Sequence, residues 1–319
     1  MSEPSPEGQL WGLMRGALAA KALGAAADLG VADALADGPR PVAELAEELA
    51  ADPDTLHRIL RALASDGVFA EGEPGVFRNT RASELLRAGG SGAWREFAHL
   101  FGGVFYDATV GLEARPSRST FAEAFGDDYW TWLGAHPEER AIFDRAMGGG
   151  KERSGERLSA LDWRGDETVV DVGGGNGALL RELFERVPDI RGIVVDLPET
   201  VRDDELGDRI EFVEGSFFES VPAGDVYVLS GILHDWDDER AAAILRTIRT
   251  AAPDDARLVV VESVIDPGNE PDGAKWLDLL MLVLADGRER TVTEWRSLLE
   301  QTGFVADEIE DGLIRARCR

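Results

Sequence analysis

Cysteine is what this chain has least of: one in 319 residues, Cys318. A disulfide within the chain needs two and a cysteine-rich metal site needs more, so both are excluded. Histidine is nearly as scarce, with four scattered residues and no His-x-x-x-His or similar spacing. A metal site would have to rest on carboxylates alone, and no metal is expected. Positive charge is also short. Lys+Arg number 33 against 61 Asp+Glu, a formal charge of −28, and such a chain repels phosphate backbones and anionic membranes. No apolar run approaches the roughly 18 residues of a membrane span, and the opening residues Met1–Gly8 carry neither a basic nor a hydrophobic signal region. Internal repeats, low-complexity runs and polybasic tails are missing too. The expectation is a soluble, cytoplasmic protein with no nucleic-acid or membrane partner.

At 44% hydrophobic residues, the chain is long enough for one large domain or two ordinary ones with real cores. Between Leu10 and Leu35, Met14, Leu18, Ala22, Ala25 and Leu29 recur at helical spacing and form an apolar face that lacks a partner. A further segment runs from Pro41 to Leu49, and a helix follows between a capping Asp52 and a terminating Gly67. Two short strands, Val68–Ala70 and Val76–Arg78, come next. This is the order of a winged-helix module over residues 1–87. A winged-helix DNA-binding regulator is thus one reading, but residues 1–100 hold nine basic against fifteen acidic residues, a net −6, where a DNA reader needs a basic footprint. Packing and dimerisation fit better, because the long apolar helices exceed what so small a module can bury alone.

Residues 88–165 read as a helical linker rich in aromatics, among them Phe105, Phe121, Tyr129, Trp130 and Trp132, expected mostly in the core with some lining an apolar pocket. From Glu167 the texture changes. Strands at Thr168–Val172, Gly192–Asp196, Ile210–Val213, Val226–Leu229 and Arg257–Glu262 alternate with helices, which predicts a parallel, doubly wound α/β sheet over residues 166–319. Ligands of such sheets sit at the carboxyl ends of the strands.

The first of these strands runs into Gly173-x-Gly175-x-Gly177 with Asp171 just upstream, and Asp196 ends the second strand. Glycines there permit a tight turn and close approach of a ligand. The loop fits a dinucleotide fingerprint as well as an S-adenosylmethionine loop, and a carboxylate at Asp196 can accept both hydroxyls of a ribose in either. Asp171 is awkward beside a pyrophosphate but tolerable beside a zwitterionic amino acid, which favours S-adenosylmethionine over a nicotinamide cofactor. The closing pair Val305–Ile309 and Leu313–Arg317, around Asp311-Gly312, suggests an antiparallel addition at the sheet edge. Of the histidines, His234 alone lies just past a strand's carboxyl end. There an imidazole can take a proton from a phenol whose oxygen then attacks an electrophilic methyl. The acidic run Asp235–Glu239 reads as a solvated helix start.

These residues, in this order, resemble the S-adenosylmethionine-dependent small-molecule O-methyltransferases, which include plant caffeate and acetylserotonin-type enzymes and bacterial natural-product enzymes. The pieces are Val169–Leu180, Val194–Pro198, Val213–Phe218, Ile232–Glu239 and Gly287–Trp295. The resemblance implies a Rossmann-like class I methyltransferase sheet behind an N-terminal winged-helix dimerisation domain, and hence a homodimer. It implies that Asp171, Gly173, Gly175, Asp196 and Leu197 hold the cofactor and that Phe217 and Trp236 pack near its adenine. His234 becomes the general base, flanked by Glu262 and Glu289, while Asp278 and Met281 face an aromatic acceptor. Two positions depart from the pattern. Ser216 replaces an acid that reaches the adenine amino group, and Ser230 stands where plant members often carry lysine. A hydroxylase or decarboxylase on the same scaffold is the alternative, disfavoured because a chain that has abandoned proton abstraction need not keep His234 with both acids.

Overall fold

A computed structural model of the chain describes residues 5–113, 119–149, 151–198, 200 and 209–319. It divides into two compact units, one of residues 1–110 with 145–149, the other of residues 111–144 with 150–319. The 88–165 segment expected as a separate linker is therefore shared out between them.

In the first unit, α1 (Pro6–Met14), α2 (Gly16–Asp28) and α3 (Val31–Ala34) precede the short strand β1 (Arg40–Pro41), α4 (Val42–Glu48) and α5 (Pro53–Ser65). Asp52 caps α5 by accepting the Thr55 N–H at 2.8 Å, with Pro53 opening the helix. The wing is β2 (Phe69–Glu71) and β3 (Val76–Asn79), and β1 joins it as an unforeseen third strand in the order β1-β3-β2. Helices α6 (Trp94–Gly102) and α7 (Val104–Thr109) follow. Leu35, Leu45, Leu56, Leu60, Phe69 and Phe77 form the buried centre of this unit. Leu10, Trp11, Leu13, Met14 and Leu18 remain exposed, at 61–74%.

The second unit starts with α8 (Thr120–Phe125), α9 (Tyr129–Ala135) and most of α10 (Pro137–Gly148), then α11 (Lys151–Ser159). Its sheet comprises β4 (Thr168–Val172), β5 (Arg191–Asp196), β6 (Ile210–Glu214), β7 (Val226–Ser230) and β8 (Arg257–Val261), with α12 (Ala178–Arg186) and α13 (Asp238–Ala251) between strands. A two-stranded pair, β9 (Val264–Ile265) with β10 (Arg290–Thr291), flanks α14 (Gly273–Ala285), and α15 (Val292–Gln301) leads to β11 (Phe304–Glu310) and β12 (Leu313–Cys318). The order of the seven strands is β11-β12-β8-β7-β4-β5-β6, with β12 antiparallel to both its neighbours and the other pairings parallel. Central strands covered on both faces must be apolar throughout, as in Val226–Leu229. Alternate residues divide between the two covering layers: Val170, Tyr227 and Leu229 pack with Ile244, Leu245 and Trp295, whereas Val169, Val226 and Val228 pack with Leu158, Leu179 and Leu180. The chain reverses its direction of travel across the sheet between β4 and β7, and the crevice at their carboxyl ends is where such a fold takes its ligand. Among the described residues, no helix is long and apolar enough to cross a membrane.

Candidate active site

At the end of β4, Gly173, Gly175 and Gly177 all hold positive φ, at 71°, 59° and 82°. A Cβ on Gly174 would lie 2.6 Å from the Asp171 carboxylate, so the loop folds directly over that acid, whereas a Cβ on Gly175 would meet nothing within 4 Å. That open side is a cradle of backbone for a ligand. Asp171 itself is 1% exposed, and its Oδ2 lacks a partner among the described residues. Burial pushes its carboxyl up to about 7; Lys151 opposes the shift and Asp196 adds to it. Asp196 reaches the loop from β5: its Oδ2 accepts the Gly175 N–H at 2.8 Å, and its Oδ1 accepts the Leu197 N–H and the Thr200 hydroxyl, both at 2.7 Å.

Opposite this loop, β7 ends at Ser230 and the chain turns through Gly231 into a short 3₁₀ turn that carries His234. His234 Nδ1 lies 2.6 Å from Glu289 Oε1 and 3.4 Å from Glu262 Oε2. The other oxygen of Glu262 accepts the N–H groups of Ile232 and Leu233 at 2.9 and 2.8 Å, so one carboxylate both shapes the turn and faces the ring. The ring and carboxylate atoms of His234, Glu262 and Glu289 lie within 4.8 Å of one another, a grouping a cation could also span, but 2.6 Å is a hydrogen-bond distance, shorter than two ligands of one metal normally approach. Burial alone would lower the His234 imidazolium. The carboxylates of Glu262, Asp235 and Glu289 outweigh it and push it up to about 10.

The acidic run after His234 departs from expectation. Asp237 does cap α13, accepting the Arg240 N–H at 2.8 Å, and Asp238 is 56% exposed. Asp235 is not solvated: its side chain is 13% exposed, 3.6 Å from His234 Nε2, and burial pushes its carboxyl up to about 7, against the pull of His234. The 3₁₀ turn draws it inward while the helix keeps the later acids out.

Two residues that motif reasoning did not single out hold this region together. Arg290 is fully buried and donates to Leu233 O (3.0 Å), Trp236 O (2.9 Å), Arg288 O (3.3 Å) and Asp238 Oδ1 (2.9 Å), clasping the His234 turn from both sides. Gly287 lets the chain pass: a Cβ there would lie 2.1 Å from His234 O, and the next residue, Arg288, donates its N–H to that same oxygen at 2.8 Å.

The remaining expected residues fall nearby, with varied duties. Trp236 packs edge-on against Phe217 and Phe218, at 6.2 and 4.9 Å between ring centroids, and faces Trp130 at 6.4 Å. Trp130 was expected only as one aromatic among many. Ser216 Oγ accepts the Phe218 N–H at 3.3 Å. Ser230 accepts from Lys151. Asp278, on α14, accepts the Glu289 N–H at 2.8 Å and so braces the loop that carries the histidine's partner; Met281, one turn on, is buried. The other histidines lie elsewhere: His57 against Phe77, His99 2.7 Å from Asp28, and His136 stacked on Trp132. A cleft of about 800 Å³ opens at the strand ends, lined by Lys151, Ser230, His234, Glu262 and Asp272 among others.

Comparison with known proteins is consistent along the chain. Residues 107–305 match the sequence model of the O-methyltransferase domain and residues 11–89 that of the O-methyltransferase dimerisation domain. A phenazine O-methyltransferase of Lysobacter antibioticus is 40% identical over 295 residues, covering 89% of this chain and 86% of that protein. The 3-amino-4-hydroxybenzoate 4-O-methyltransferase of Streptomyces cremeus is 38% identical over 309 residues, covering 93% and 85%. Among solved structures, the O-methyltransferase NcsB1 from neocarzinostatin biosynthesis, in complex with S-adenosylmethionine and 2-hydroxy-5-methyl naphthoic acid, superimposes with a TM-score of 0.81 at 32% identity, over 94% of this chain and 96% of that one.

Proposed function

This chain belongs to the O-methyltransferase family, and on that premise we propose that it methylates a phenolic hydroxyl of an aromatic natural-product intermediate with His234 as the proton acceptor. The enzyme is S-adenosylmethionine-dependent, and its residues suit that cofactor: a glycine cradle open on one side and a buried Asp171 oxygen that awaits a cationic donor. In this reading Asp171, Gly173, Gly175, Asp196, Leu197, Ser216, Phe217, Ser230 and Trp236 hold the cofactor, and Asp278 and Met281 border the acceptor. When bound, S-adenosylmethionine supplies a methyl group on a sulfonium that an oxygen nucleophile can displace, leaving S-adenosylhomocysteine.

The observation that carries the assignment is the contact between His234 and Glu289 at 2.6 Å, at the carboxyl end of β7. Glu289 fixes Nδ1 and leaves Nε2 to meet the acceptor oxygen. In the free protein the ring is held as imidazolium up to about pH 10. A phenol ionises in the same range, near 10, so a phenolate beside imidazolium and a phenol beside imidazole hold the same number of protons at nearly the same energy. Below that range both groups carry their protons, so one proton first passes from the ring to solvent; the neutral imidazole then takes the phenol's proton and stays paired with the nucleophilic anion it has formed.

The acceptor class rests on the relatives: one methylates 3-amino-4-hydroxybenzoate and another is bound to 2-hydroxy-5-methyl naphthoic acid, both hydroxylated aromatic acids. A second copy of this chain would cover the exposed apolar residues of α1 and α2, within the matched dimerisation domain, to give a homodimer. In the test, His234→Ala lowers turnover on a phenolic acceptor by about 10²–10⁴-fold and leaves the affinity for S-adenosylhomocysteine within a few-fold. Unchanged turnover would remove His234 from its role.

A further inference from the structure

The chain has three lysines, Lys21, Lys151 and Lys275. Two are surface residues with evident duties: Lys21 pairs with Asp107 at 2.9 Å, and Lys275 donates to the carbonyls of Gly268 and Glu270, both at 2.9 Å. Lys151 differs. It stands in the first turn of α11, points to the carboxyl end of β7, and donates from Nζ to Ser230 O at 3.2 Å and Ser230 Oγ at 3.1 Å. An ammonium has three N–H donors, and the third has no partner among the described residues.

No carboxylate lies within ion-pair distance of this nitrogen among the described residues. Burial pulls its pKa down, while Asp171, Glu262 and Asp235 oppose the fall from a greater distance. A half-buried cation without a contact anion is costly to hold. Ser230 fixes the geometry of Nζ without neutralising it, which is the arrangement of a site waiting for an anion. Asp171, beneath the glycine loop, is in the complementary state: a buried acid whose Oδ2 lacks a donor. The two lie close enough for their charges to interact, the acid short of a cation and the lysine short of an anion.

The amino-acid end of S-adenosylmethionine carries both charges. We propose that Lys151 is a cofactor-binding residue whose ammonium, steadied by Ser230, holds the α-carboxylate of that end, while Asp171 faces its α-ammonium. Arg157 lines the same cleft, but from an exposed position against Gly312, so cleft charge in general and Lys151 in particular can be separated.

The inference rests on the cofactor assignment, and the test distinguishes the two. Calorimetric titration of the full-length protein compares S-adenosylhomocysteine with its decarboxylated analogue, 5′-deoxy-5′-(3-aminopropylthio)adenosine, which lacks only the carboxylate. Lys151→Met should weaken S-adenosylhomocysteine about ten- to a hundredfold, the range of a charge-assisted hydrogen bond, and leave the analogue within about twofold. Retained binding of the analogue also certifies the fold. Lys151→Arg should recover part of the loss, and Arg157→Met should leave both ligands unaffected. Equal weakening of the two ligands by Lys151→Met, loss of binding to both, or no weakening of S-adenosylhomocysteine would each overturn the proposal. Wild-type protein that binds neither ligand would overturn it together with the cofactor assignment.

Discussion

Replacing Arg290 with methionine keeps most of the side-chain volume beside Trp295, over which the guanidinium lies at 5.3 Å, and removes every donor. The ion pair with Asp238 matters little, because that carboxylate is 56% exposed and water replaces its partner. The carbonyls matter more. Leu233 O and Trp236 O receive bonds of 3.0 and 2.9 Å from a fully buried side chain; losing them would cost about 1–3 kcal/mol each, with the smaller share at Leu233 O, which keeps the Trp236 N–H at 3.4 Å. A total of about 4 kcal/mol results, within the range for breaking a buried charged contact. In a unit of this size each kcal/mol lowers Tm by about 2–4 °C, so Arg290→Met should melt roughly 8–16 °C below the parent by calorimetry. The two carbonyls bracket His234, so the histidine should also lose its placement, and turnover should fall about a hundredfold as for a displacement of about 1 Å. A melting point within about 3 °C of the parent, with turnover within twofold, would show that the turn is held by its carboxylates and not by Arg290.

Glu289→Gln removes a carboxylate that helps keep His234 protonated, so the rise of kcat/KM with pH should move to lower pH while the plateau drops. A pH profile that moves upward would invert the assigned electrostatics. Asp171→Asn should raise the Tm of the ligand-free protein at pH 8. The folded value of Asp171, about 7, lies above its unfolded value, so its ionised form destabilises the fold above that pH, and the penalty vanishes below about pH 4, where the acid is neutral in both states. Melting curves at the two pH values check the sign, and a gain that persists at low pH would point to packing instead.

Most of the second unit's sheet could be read from the chain because its strands are short, β-branched and bounded by turn residues. Thr168–Val172 is found as expected, and Val226–Leu229 extends by one residue to Ser230. The strand β1 was missed because two residues, one of them proline, carry no period. At the site, the motifs led to His234 and its two acids, but the structure alone assigns one oxygen of Glu262 to the turn and the other to the ring. Asp235, Lys151 and Arg290 were opaque for a common reason. Each sits in a charge-rich stretch that looks like solvated surface, and only contacts from distant parts of the chain remove the water. For Asp278 the motif offered a place beside the acceptor but not its bond to the Glu289 N–H, which joins residues 11 apart in the chain.

The place of β12 has a consequence for synthesis. Leu313–Cys318 is the last strand along the chain, but in the sheet it lies between β8 and β11 and pairs with both. Until those residues leave the ribosome, β8 presents an open row of N–H and C=O groups, and β11 has no neighbour to pair with. A nascent chain can settle β4 to β8 on its own, but it must carry an unprotected edge through the translation of more than fifty further residues, from Val261 to Leu313. Exposed edges of that kind recruit other strands. Slow release, or a stop codon shortly before Leu313, should therefore favour aggregation over a merely weakened enzyme.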